Sequence, residues 1–225
     1  MKPDRQDCIE RARCARERGD LVGAAEALRE HLATYPGDRI ARVELGAVLG
    51  QLGEVDSAIE ALTSSYDEST CAVAEAALDS ILERHDRPRV ERLLRERFNG
   101  PQATAAQALL AHVFLRSGKP RRAAALFGLA SQAEPGNVSL LRRQVDASRL
   151  AGDHRAACKG LYLLSTWHEL RGQPMAALDT MRQLAQYSRR PSFKAQKEWL
   201  KHQWNAFVGM PGVNQVRRMI PPQTR

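Results

Sequence analysis

Apolar residues recur along this chain at helical spacing, Ala24, Leu28 and Leu32 in one segment and Ala123, Phe127 and Ala130 in another. Steps of three and four put such residues on one face of an α-helix and leave the opposite face polar. The stretch RGDLVGAAEALREHLATYPGD, residues 18–38, therefore reads as a turn, an amphipathic helix and a stop. The same grammar returns 99 residues later as SGKPRRAAALFGLASQAEPGN, residues 117–137.

Glycines give the ruler. Gly19 to Gly53 is 34 residues and Gly118 to Gly152 is 34, while the 65 between Gly53 and Gly118 hold two units shortened by three residues in all. Five residues after each glycine stands a small residue, Ala24, Ala58, Ala123 or Ala157. A glycine at a helix end takes the left-handed conformation that turns the chain back, and a small residue opposite lets the two backbones approach. Pro36 and Pro135 forbid continuation of the second helix, and Asp38 and Asn137 are placed to cap the next one. Each unit is thus a helix hairpin with one sticky face, and a fixed period of this length means a repeat array.

This pattern resembles the tetratricopeptide repeat (TPR). Residues 39–70 carry Leu45, Gly46, Leu49, Gly53, Ala58 and Leu62 in the family's positions, with Thr70 where proline is usual. Residues 104–137 carry Leu110, Ala111, Phe114, Gly118, Ala123, Phe127, Ala130 and Pro135. Residues 5–38 match in the turn and second helix, with Cys8 and Arg11 where the family favours an aromatic and a leucine; residues 138–170 follow more loosely through Val145, Gly152, Ala157 and Leu161. The resemblance implies an all-α fold, a right-handed superhelical solenoid of antiparallel helix hairpins with about five to six repeats.

The third unit, 71–103, departs most: HDRP at 85–88 replaces the turn glycine and Val90 takes the small position. It reads as a degenerate repeat with helices in CAVAEAALDSILER and PRVERLLRERF. Gly172 follows Gly152 by only 20 residues, so one long helix over 153–171 is expected to close the fifth pair and open a sixth with MAALDTMRQLAQYSR. The repeat domain so defined is 1–189. A stacked array exposes a face at its last hairpin, and SFKAQKEWLKHQWNAF supplies Phe193, Trp199 and Phe207 near one helical face, so 190–207 is expected to be a C-terminal capping helix of the same solenoid. Residues 208–225, with glycine, proline and arginine but no sustained period, are expected to form a flexible basic tail.

Charge sharpens the picture because it is uneven. Residues 1–99 hold 15 Lys or Arg against 20 Asp or Glu, 100–188 hold 11 against 5, and 189–225 hold 8 against 1, so the net +8 divides into an acidic first half and a basic second half. Such asymmetry bears on partners rather than on fold. Only six of the 34 basic residues are lysine, and arginine's forked donors favour carboxylates. Cys8, Cys14, Cys71 and Cys158 fit no metal or redox spacing, the six histidines are dispersed, and no apolar run is long enough to span a bilayer. The start, MKPDRQDCIERAR, lacks the apolar core of a secretory signal, so a cytoplasmic location is expected.

No nucleophile elbow, phosphate loop, HExxH or paired-carboxylate arrangement is present, so no enzyme, metal or cofactor is expected. The resemblance implies instead a concave groove lined by the first helix of each pair, which binds a protein or peptide segment. Carried over by register, its lining is Gln6, Ile9 and Arg13, then Ile40, Val43 and Ala47, then Glu75 and Asp79, then Ala108, His112 and Arg116, then Ser139, Arg142, Asp146 and Arg149. The lysine and asparagine clamp by which well-known members hold chaperone C-termini is not matched, since Ile9, Arg13, Val43 and Ala47 occupy those positions. Arg142, Arg143 and Arg149 could grip an acidic peptide through forked hydrogen bonds. The alternative is single-stranded nucleic acid held by the basic end, where Lys201, Arg217 and Arg218 supply cations and Trp199 and Trp204 supply stacking surfaces.

Overall fold

The turn glycines are where the spacing puts them. In the computed structural model, which describes residues 5–188, Gly19, Gly53, Gly118, Gly152 and Gly172 have φ of 78°, 90°, 67°, 71° and 65°, and no other described residue has a positive φ. Any other L-residue there would cost about 1–2 kcal/mol. After Gly53 the chain reverses at once, with the Glu54 N–H donating to the Leu49 carbonyl at 3.0 Å.

Eleven α-helices and no strand occur among the described residues. They are α1 (Arg5–Glu17), α2 (Leu21–Thr34), α3 (Arg39–Leu52), α4 (Val55–Ser65), α5 (Cys71–Arg84), α6 (Arg87–Glu96), α7 (Ala103–Arg116), α8 (Pro120–Ala133), α9 (Val138–Leu150), α10 (His154–Leu170) and α11 (Pro174–Ser188). The chain divides into two compact units, Met1–Arg143 and Gln144–Arg225, the second beginning within α9. In the first unit α1 packs on α2, α2 on α3, α3 on α4 and α5, α6 on α7, and α7 on α8. In the second, α10 packs on α11. The fold is an all-α helical repeat.

The core consists of the residues that set the period. Ala24, Leu28, Ala58, Ile59, Leu62, Ala123 and Phe127 are all fully buried. Two glycines inside α3 permit close crossings. A methyl on Gly46 would lie 3.0 Å from Leu62 Cδ2 and 3.2 Å from the Ala58 carbonyl oxygen on α4, and one on Gly50 would run into Ile81 on α5. At the second crossing the ring Nε2 of His85 is 2.6 Å from the Gly50 carbonyl oxygen, so the residue that ends α5 also ties it to α3.

Helix starts follow the expected caps. Asp38 Oδ1 accepts from the Ala41 N–H at 3.2 Å and Asn137 Oδ1 from the Leu140 N–H at 3.4 Å. Asp20 and Asp153 do the same for α2 and α10 at 2.8 and 3.0 Å. Asp38 has a second task, since its other oxygen meets Nε2 of the fully buried His31 at 3.0 Å, pinning α2 to the start of α3.

Where proline is missing, hydroxyls replace it. Thr70, fully buried, donates to the Ser65 carbonyl at 2.6 Å and accepts from the Asp67 N–H at 2.9 Å. Asp67 accepts from the Ser69 and Thr70 N–H groups at 2.8 and 2.9 Å and is paired with Arg39. Partial burial would raise its pKa, but the Ser69, Arg39 and Thr70 hydrogen bonds outweigh it and hold the carboxyl far below the ordinary range. The third unit keeps both helices, as α5 and α6, with Val90 fully buried and one 3-10 turn, Arg97–Asn99, before α7. The long helix is α10, 17 residues, which pairs with α11 beyond Gly172. The expected capping helix at 190–207 and tail at 208–225 lie outside the described residues.

Candidate functional site

Four first helices, α1, α3, α5 and α7, and the N-terminal part of α9 carry the positions expected to line a groove in the first unit. Their side chains do not all reach solvent. Val43 is 1% exposed, so it is a core residue and not a ligand contact; α5 lies against α3, and the seam between them takes this repeat position. The equivalent residues, Glu75 and Ala108, are buried at 4% and 0%. Ile40, one turn earlier at the start of α3, is 52% exposed.

Glu75 makes that seam unusual, because a carboxylate occupies a position that is apolar in the neighbouring units. Burying a charge is unfavourable unless it is paired and hydrogen-bonded, and three groups from three other segments answer it. Arg143 on α9 forms an ion pair with Glu75 Oε2, His112 Nδ1 on α7 lies 3.3 Å from the same oxygen, and the Tyr66 hydroxyl donates to Oε1 at 3.2 Å. The other ring nitrogen of the imidazole meets Asp79, one turn along α5, with Nε2 2.9 Å from Oδ1. Arg116, one turn along α7, reaches the same Asp79 oxygen at 3.3 Å.

The electrostatics follow from that geometry. Burial alone would lower the His112 pKa, but its hydrogen bond to Glu75 and the charge of Glu75, followed by those of Asp79, outweigh it and raise the pKa above the ordinary value. For Arg143 burial likewise opposes the charge and Glu75 overcomes it, so the guanidinium is held more firmly protonated. Burial, then the charge of Glu75, keeps Tyr66 protonated far above its usual titration. The site therefore holds two carboxylates against two guanidiniums and an imidazole that is a cation over a widened pH range. Its inner members are fixed, while the outer ones reach water, with side-chain exposures of 28% for Asp79, 14% for His112 and 55% for Arg116.

The structure thus brings together Asp79, His112 and Arg116 among the expected groove residues. Arg13 stands apart, 3.8 Å from Glu44 on α3. Arg142 is exposed on α9, but its neighbour Arg143, expected to face an acidic peptide, is spent on Glu75. In the second unit Asp146 and Arg149 pair with each other at 3.6 Å, and Arg149 also lies 5.7 Å from the Tyr187 ring centroid. The side chains of Gln6 and Ile9 are outside the described set, as are Trp199, Lys201, Trp204, Arg217 and Arg218. Sequence reasoning missed Tyr66 and the tie between Glu75 and Arg143. The available signal was a glutamate at the repeat position that carries valine and alanine in the units on either side.

Among the described residues no group of three or more His, Cys, Asp or Glu could hold a metal ion, and no helix is long and apolar enough to cross a membrane. No protein-family model matches the chain, and no curated protein matches it. Among solved structures it is similar to MamA, at 15% identity over 87% of this chain and 96% of that one with a TM-score of 0.34. It is similar also to pilF of Pseudomonas aeruginosa, at 16% over 88% and 97% with a TM-score of 0.36, and to a tetratricopeptide repeat protein of Parabacteroides merdae, at 14% over 88% and 97% with a TM-score of 0.27. The repeat itself, with its left-handed glycine turns, small residues five positions on and helix pairs packed in series, is a helix-hairpin repeat.

Proposed function

We propose that this protein is a non-catalytic interaction module, an adaptor or scaffold that binds a protein or peptide segment along the surface of its first helices. The observation that carries the reading is the Asp79, His112 and Arg116 array, which crosses from α5 to α7 and is held from beneath by Glu75 and Arg143. Polar groups fixed before binding lose little entropy on meeting a ligand. An acceptor and a forked donor side by side suit the backbone and side chains of a peptide. Cytoplasmic residence belongs to the same reading, supported by Cys14, Cys71 and Cys158, all free thiols.

The test is site-specific photo-crosslinking in cells, with the reactive group at Arg116 or, as a control, at Leu129, which is 52% exposed on α8. Discrete cross-linked proteins from position 116, lost when Asp79 is changed to Lys, are expected. Equal labelling from both positions, or none from 116 in protein whose helicity is intact, would refute the reading.

A further inference from the structure

A second charged surface lies elsewhere on the first unit. Phe114 and Arg116 are two residues apart on α7 and so point to opposite sides of the helix. Arg116 belongs to the array with Asp79, whereas the Phe114 ring is 5% exposed and collects cations. Arg95 on α6, Lys119 at the head of α8 and Arg122 in its first turn each place their charged group 5.9 Å from the ring centroid. Arg121, exposed, stands beside them. One acid offsets this group: Glu91 pairs with Arg95 at 2.8 Å. Lys119, Arg121 and Arg122 form no ion pair among the described residues.

This arrangement is not explained by stability. A cation over an aromatic face gains about 0.5–1 kcal/mol at an exposed site, but three cations around one ring repel one another. Three positive side chains in the opening turn of α8 also oppose the positive end of its dipole, where an acid is favoured. Three of the other four turns follow that preference, with Asp20, Glu54 and Asp153 directly after their glycines; the neutral Gln173 follows Gly172, and Lys119 alone puts a cation there, after Gly118. The charge is left for something outside the chain.

We infer that the Arg95, Lys119 and Arg122 surface around Phe114 is a second docking site, and that it takes an acidic segment of a partner protein. Because each charge is 5.9 Å from one centroid, any two are no more than twice that distance apart. Alternate side chains of an extended peptide lie about 7 Å apart on one face, which falls within that span, so one acidic strand can present carboxylates to more than one of the cations. Single-strand binding proteins pair cations with open aromatic faces on which bases stack, and Phe114 is only 5% exposed.

The experiment measures binding of a fluorescein-labelled Glu/Asp peptide to the full chain by anisotropy, at low and near-physiological salt, with an unlabelled single-stranded oligonucleotide as competitor. The Lys119→Gln/Arg122→Gln variant is compared with a charge-matched control, Arg84→Gln/Lys159→Gln, both altered at exposed positions and both checked for helicity. The inference expects roughly a tenfold loss of affinity in the first variant and less than about a twofold change in the control. Equal losses would mean attraction by net charge alone and overturn it. So would an oligonucleotide that displaces the peptide and depends on Lys119 and Arg122, since the surface would then be a nucleic-acid site. No loss of affinity in the Lys119→Gln/Arg122→Gln variant would also overturn the inference, and would leave the Asp79, His112 and Arg116 surface, which cross-linking from position 116 tests, untouched.

Discussion

Replacing Glu75 with glutamine keeps the shape of the buried side chain and removes its charge, and the consequence depends on pH. With His112 protonated 3.3 Å away, the Coulomb attraction at an effective dielectric of about 20 is at most ~5 kcal/mol. Desolvation of both groups, and the neutralisation of Glu75 already supplied by Arg143, reduce the net to roughly 1–2 kcal/mol. The Arg143 pair, which a glutamine oxygen can only partly replace, adds about 1–2 kcal/mol more. The sign follows from linkage: His112 has a raised pKa in the folded protein, so its contribution is fully present below about 6.5 and is lost as pH rises through the folded value. Glu75→Gln should therefore cost about 3 kcal/mol near pH 6 and distinctly less once the pH has passed the folded His112 value, by urea unfolding followed through circular dichroism. A loss of the same size on both sides of that value, or a gain near pH 6, would refute the account of the buried network.

Three further substitutions probe the helices and turns themselves. Gly50→Ala gains up to about 1 kcal/mol of helix propensity but forces a methyl into Ile81, so a net loss of roughly 1–2 kcal/mol is expected in thermal melts; Gly136→Ala, where no atom lies within 4 Å, should cost much less. Thr70→Val removes the hydroxyl that stands in for proline and leaves the Ser65 carbonyl and Asp67 N–H without it, at about 1–2 kcal/mol, and hydrogen exchange should quicken at the start of α5. Asp153→Ala removes the N-cap of α10 and should lower stability by about 1 kcal/mol, a loss that Asp153→Ser mostly avoids.

Much of the fold was legible because a few local rules fix it. Gly19, Gly53, Gly118, Gly152 and Gly172 each needed only a left-handed turn, and Asp38 and Asn137 only a free N–H to cap. Even the long α10 followed from the short interval between two glycines. The site was less legible because it depends on helix crossings. Register alone treated Val43, Glu75 and Ala108 as groove-lining, yet all three are buried, and between Val43 and Glu75 the close crossing of α3 and α5 at Gly50 helps to seal the row. His112 and Asp79, expected by register to line one groove, lie 2.9 Å apart, but nothing local in sequence tells that Arg143, 68 residues from Glu75, spends its charge inward.

The carboxylate in the seam also bears on how the chain finds its order. Hairpins this alike could pair out of sequence, one displacing another, because an apolar seam of alanine and valine accepts many neighbours. Glu75 does not, since Tyr66 before it, His112 in the next unit and Arg143 on the helix after that answer it together. A hairpin docked one place out of turn would strand a buried carboxylate, at a cost of about 3–5 kcal/mol. The third hairpin, which departs furthest from the repeat, is thereby the one that cannot be exchanged with its neighbours, and it marks the sequence in which they assemble.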